Sequence, residues 1–318
     1  MSELAENPAT TVTVESVVGA DLAHGDEVLG TVAPILRHLI VSDDRSLLAE
    51  ETVARVRGML ADLARQSLAA ISEQGAGLAD PARSAALIDG FCAIPGLLGH
   101  VHALALEGQV AERLHGRLAL DPVLPPLLQA LIASPDGPTA ATAMKLLAAQ
   151  ARFVQMQRRM QLSLTELPGD MLHGILVVVR TCCGDDVASD ARATAAEAHL
   201  RATYDESRTR LGLIARLVTG MGAGAVAALS ISHAGLAIFA TALALASGQD
   251  RDLAVLATNE TQVARLALSL RAAGAKLQAI EEQFLALHPD IALPEGFDRI
   301  GPDRAASMLS SAAVRMGT

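Results

Sequence analysis

Apolar residues recur at spacings of three and four along most of the chain, the pattern of helices with one buried face. Val53, Val56, Leu60 and Leu63 make one such stripe, in a helix expected to follow the caps Ser42, Asp43 and Asp44 and to run to Ile71. Leu146, Ala149, Phe153, Met156 and Met160 make a second, in a helix opened by Gly137–Pro138 and reaching Gln161. Leu277, Ile280, Phe284 and Leu287 make a third, stopped at His288–Pro289. Asp80–Pro81 sets a cap before a proline in the first helical position. Pro95–Gly96 starts a further helix that Gly108 is expected to end, and a long helix is expected from Asp186 to Val218. Residues 1–22 are expected to form a flexible lead.

These elements predict an all-α fold, a multi-helix bundle or short helical solenoid. An internal repeat suggests a tandem duplication of two helical halves. GLLGHVHALALEGQ from Gly96 and GLAIFATALALASGQ from Gly235 share Gly-Leu, Ala-Leu-Ala-Leu and Gly-Gln. Upstream, His24-Gly25-Asp26 and Pro168-Gly169-Asp170 each precede an apolar segment, an acidic cap and a long helix. The expected organisation is a first half over 23–165, a second over 166–292, and a tail over 293–318 with a short helix. The segment ALALASGQDRDLAVLATNETQVARLALSLRAAG, with LPGD upstream, resembles an uncharacterised all-helical alphaproteobacterial family. That resemblance covers the C-terminal half and implies a helical fold with no known activity or site residues.

Composition sharpens the picture in three ways. The 318 residues include no Trp, one Tyr (Tyr204) and five Phe, so the core must be built from Leu, Ala, Val, Ile and Met. With 25 basic against 35 acidic residues the net charge is −10, which disfavours nucleic-acid partners. Three cysteines, Cys92, Cys182 and Cys183, make no disulfide framework and fit a reducing cytoplasm, and Met1 to Asp21 reads as no secretory signal. Leu217 to Gln249 is uncharged and long enough to span a bilayer. Its Gly220, Gly222, Gly224, Gly235, Ser230, Ser232 and His233 favour two buried helices broken near Gly220–Gly224, with no membrane span.

Candidate chemistry is sparse. Gly220, Gly222 and Gly224 resemble a dinucleotide loop only superficially, because a charged helical stretch precedes them and the next acid is Asp250. Glu112 with His115, and Asp170 with His173, have the spacing that helical di-metal sites use, with Glu107 and Glu197 as possible further ligands. His38, beside Arg37, is the best-placed histidine for phosphotransfer, whereas His100 and His102 point in different directions. Cys182–Cys183 lies near Arg180, which could activate a thiol but also suits a buried helix end. No nucleophile elbow or phosphate loop is present, and no cofactor is expected.

The helix over 138–161 stands apart. Phe153, Met156 and Met160 lie close to Arg152, Arg158 and Arg159, an adaptable and basic surface in an acidic chain. The alternative is a core helix between the two halves. The expected function is a non-enzymatic interaction or regulatory protein, a scaffold or adaptor, that meets a protein partner or a second copy of itself. The alternatives are a carboxylate–histidine metalloprotein or enzyme, and a histidine phosphotransfer protein.

Overall fold

A computed structural model describes residues 13–41, 50–71, 81–183 and 187–316. The described residues form fourteen α-helices and short 3-10 turns, with no strand among them. The chain is an all-α multi-helix bundle.

The first helices are α1 (Val14–Val41), α2 (Glu50–Ile71), α3 (Pro81–Cys92) and α4 (Leu97–Leu118). Next come α5 (Pro126–Ile132), α6 (Gly137–Arg158), α7 (Gly169–Cys183) and α8 (Val187–Thr203). The remainder are α9 (Arg210–Gly220), α10 (Ile231–Ser247), α11 (Arg251–Leu256), α12 (Val263–Ala272), α13 (Leu277–Leu287) and α14 (Pro302–Met316). Local chemistry sets many of the starts. Asp136 accepts from the Thr139 amide at 3.0 Å, and Pro138 follows in the first turn of α6. The caps expected at Ser42, Asp43, Asp44 and Asp80 lie outside the described residues.

Two apolar cores share the bundle. One is filled by Val56, Leu60 and Leu63 of α2, Leu87 and Phe91 of α3, Val101 and Leu104 of α4, and Ile175 and Val179 of α7. The other holds Val110 and Leu114 of α4, Leu146 of α6, Ile214 of α9, Phe239 and Leu243 of α10, and Leu266 of α12. The 22 residues of α4 make a rod about 33 Å long that runs through both.

Several expectations are corrected here. The boundary expected at 165/166 does not separate the cores, because α7 joins the core of α2 and α3 while α6 feeds both. Residues 14–22, expected in a flexible lead, form the first turns of α1, with Val18 and Leu22 buried. The tail carries a 15-residue helix, α14, whose Ala305 and Leu309 are buried and which packs on α12 and α1. Gly108 does not end α4. It is buried in mid-helix, where the missing side chain makes room for Arg55 and Gln157. The helix expected from 186 to 218 is broken between α8 and α9. Asp205 caps the 3-10 turn Glu206–Arg208 and Thr209 caps α9, each offering the backbone an alternative to continuous helix.

Some of the residues that carried the repeat occupy different places. Gly25 lies inside α1, whereas Gly169 begins α7. Gly108 is mid-helix, whereas Gly248 is the left-handed cap that ends α10. α4 packs chiefly on α2 and α11, whereas α10 packs on α9, α11 and α5. Gly96 and Gly235, by contrast, correspond: each has a positive φ, 77° and 71°, at the start of a helical run.

Around the uncharged stretch, α9 ends at Gly220 and a 3-10 helix over Gly222–Leu229 turns away by 119°. α10 is buried as expected, but most of the 3-10 segment is exposed. No single helix among the described residues is long and apolar enough to cross a membrane.

Candidate functional site

Where the two cores meet, α4 presents a carboxylate in place of an apolar residue. Glu107 is 2 % exposed. A lone buried carboxylate is costly unless charges and hydrogen bonds compensate it. Arg210, equally buried, donates from Nη1 to Glu107 Oε1 at 2.6 Å and from Nη2 to Oε2 at 3.1 Å. Arg251 adds a bond from Nη2 to Oε2 at 2.8 Å. Burial pushes the Glu107 pKa up, but the charges and hydrogen bonds of Arg210 and Arg251 prevail and hold it at about 2.

The helices supply this geometry at their ends. Arg210 and Arg251 sit in the first turns of α9 and α11, where a cation is unfavourable to the helix dipole. Thr209 caps α9 by accepting from the Gly212 amide at 3.0 Å, and Glu166 accepts from the Arg210 amide at 2.8 Å. The Arg210 guanidinium lies 3.6 Å from the centroid of the Phe153 ring and also donates to Gln150 at 3.2 Å. Arg251 Nε donates to Thr241 at 3.0 Å, while its Nη1 is buried with no partner. The network ties α4, α6, α9, α10 and α11 together.

Phe153 divides two cavities. One, of 110 Å³, is lined by Glu107, Glu112, His115, Gln150 and Gln157. The other, of 370 Å³, has Phe153 and Met156 beside Arg152, Glu166, Asp205 and Arg208. The residues expected for interaction therefore divide. Phe153 is a core residue under Arg210, Met156 is half-buried in the larger cavity, and Arg158 is exposed beside the smaller one. Arg159 is exposed at the end of α6. Met160 is partly exposed but is docked on α2, beside Gly58.

The two carboxylate–histidine pairs do not come together. Glu112 accepts from Arg55 at 2.9 Å, and His115 Nδ1 lies 3.2 Å from the Leu120 carbonyl. His173 Nδ1 instead accepts from Arg201 on α8 at 2.7 Å, and Asp170 lies near Tyr204. Of the further ligands considered, Glu107 is spent on two arginines and Glu197 pairs with Arg201 at 2.8 Å. No group of three or more His, Cys, Asp or Glu among the described residues is arranged to hold a metal ion. His38 is exposed in the last turn of α1, whereas His100 is buried and bonded to Asp252 at 2.8 Å. Cys182 is half-buried at the end of α7.

Sequence reasoning missed Arg210, Arg251 and Gln150, and named Glu107 only as a possible metal ligand. The signal available was one acid inside the apolar run LLGHVHALALEGQV. No family model, curated protein or solved structure matches the chain, so a functional reading rests on this geometry alone.

Proposed function

We propose that this chain is a non-enzymatic interaction or regulatory protein that seats an acidic segment of a protein partner on the C-terminal part of α6. The observation that carries the reading is the 370 Å³ cavity with an apolar floor, Phe153 and Met156, and two exposed arginines at its rim, Arg152 and Arg208. Neither arginine enters a salt bridge among the described residues. The acids that share the cavity are already engaged. Glu166 binds the Arg210 amide, and Asp205 accepts from the Ser207 hydroxyl and amide, which together with the nearby charges of Arg208 and Arg216 keeps its carboxyl below the usual range. Arg158 and Arg159 extend the basic strip beyond the cavity. An apolar pocket rimmed by two exposed guanidinium groups outside any salt bridge suits an aliphatic or aromatic anchor flanked by carboxylates. The low cysteine content supports a cytoplasmic setting.

The test uses the double variant Arg152→Glu, Arg208→Glu, whose side chains are exposed and outside the Glu107 network. Proteins co-isolated from the native cell with the wild-type and variant chains are compared by quantitative mass spectrometry. The expected result is about a tenfold loss of one acidic partner, with an unchanged melting curve. An identical set of co-isolated proteins contradicts the reading.

A further inference from the structure

α13 carries two unlike faces. Ile280, Phe284 and Leu287 turn into the core. Gln283 is buried with them, and its Oε1 accepts from the Ile231 amide at 2.8 Å, which ties α13 to the start of α10. Gln278, Glu281, Glu282 and Leu285 follow the spacings that put residues on one side of a helix, and all four are exposed. A firmly seated helix thus shows solvent a leucine with two carboxylates one turn before it.

Leu285 is 67 % exposed. Other large apolar side chains that stand out from the surface lack its setting. Val226 and Leu245 have no charged residue within four positions on either side. Near Val17, one of the two acids, Glu15, is spent on Arg304. Glu281 and Glu282 enter no salt bridge among the described residues, and Glu282 accepts from Gln278 at 3.3 Å. The cations along α13 are at its ends. Lys276 precedes the first turn, and Arg117 donates to the Leu285, Ala286 and Leu287 carbonyls. Asp290 is exposed just beyond, so acids outnumber cations along the element.

The cavity on α6 is the counterpart of this face. Its apolar floor, Phe153 and Met156, lies beside the exposed Arg152 and Arg208. An apolar knob among carboxylates and an apolar floor among guanidinium groups are complementary in charge. Both occur on one chain. With a net charge of −10, two copies repel over most of their surfaces, which confines self-association to a contact that sets acid against base.

We propose that the acidic segment seated on α6 is the outer face of α13 of a second copy of this chain, with Leu285 entering the cavity and Glu281 and Glu282 meeting Arg152 and Arg208. This rests on the acidic-partner reading of the α6 cavity and names the partner. The contact joins unlike surfaces, so it is heterologous.

Sedimentation velocity of the purified full chain, over roughly 1–100 μM, is the test. The mass should rise with concentration and fall back as salt is raised. Arg152→Glu with Arg208→Glu in one variant, and Glu281→Lys with Glu282→Lys in another, should each weaken self-association about tenfold or more, as should Leu285→Ala. All five side chains are exposed, so the melting curves should not change. A mixture of the two charge-reversed variants should associate again, because each supplies the surface that the other has lost. A chain that stays monomeric throughout, self-association insensitive to Glu281→Lys with Glu282→Lys, or a mixture that fails to associate would each overturn the proposal. The acidic-partner reading outlives those results if a different acidic protein from the native cell is lost on Arg152→Glu, Arg208→Glu. It falls with them if no co-isolated protein depends on these arginines.

Discussion

Glu107 and Arg210, 103 residues apart in sequence, meet in a bidentate pair with both side chains 2 % exposed. The pair pins α4 to α9, and Arg251 extends the lock to α11. Removing the carboxylate leaves two buried guanidinium groups uncompensated. Glu107→Ala should therefore cost about 3–5 kcal/mol of unfolding free energy, read from urea denaturation. A cost below about 1 kcal/mol would mean that the network is solvated and not part of the core.

The same pair predicts an acid response. The folded-state pKa of Glu107, about 2, lies below its ordinary 4.5. Its contribution is complete above the ordinary value and is lost as pH falls toward the folded one. The urea midpoint of the wild-type chain should fall more steeply between these two values than that of Glu107→Gln. Parallel curves would remove Glu107 from the account.

Tyr204 offers an independent check at the other end of the scale. Its hydroxyl donates to the Leu167 carbonyl at 2.7 Å. Burial raises its pKa first, and the negative charges of Glu206, Asp170, Glu166 and Asp205 raise it further, to about 12. Because the folded pKa is raised, the associated stability is present below the ordinary value and is lost as pH climbs through about 12. Tyr204 is the only tyrosine and the chain has no tryptophan, so ultraviolet absorbance of tyrosinate reads this group alone. A midpoint at the ordinary value of 10 would show that neither the burial nor the acids described here act on it.

Met160 has φ 55°, uncommon for a residue with a side chain, and its Cβ would lie 2.5 Å from a Cβ placed on Gly58. The close approach of α2 to the end of α6 thus depends on glycine. Gly58→Ala should destabilise the chain by about 1–3 kcal/mol in urea unfolding. Unchanged stability would show that Met160 is free of α2.

Legibility in the sequence followed the range of the interactions. The stripe Leu146, Ala149 and Phe153 and the helix opening at Gly137–Pro138 are local features, and both lie where α6 forms. Gly108 was misread because its lack of a side chain serves Arg55 and Gln157, which come from distant helices. The break between α8 and α9 was legible in Asp205 and Thr209, two capping residues four apart, but the helical run on either side obscured it. Glu107, Arg210 and Arg251 could not be paired from spacing, since only the fold brings α4, α9 and α11 to one point. Met160 showed the opposite limit, for an exposed-looking end of a stripe proved to be a contact with α2.

The central claim, an acidic partner seated at Phe153 and Met156, is tested most directly by a photo-crosslinking residue introduced at position 156 in the native cell. Position 144, an exposed methionine earlier on the same helix and 52 % accessible, serves as the control. The account predicts one dominant adduct from position 156, mapped to an Asp- and Glu-rich segment of a single protein and absent when Arg152→Glu and Arg208→Glu are added. Equal labelling from the two positions, or an adduct on a segment without acidic residues, would contradict it.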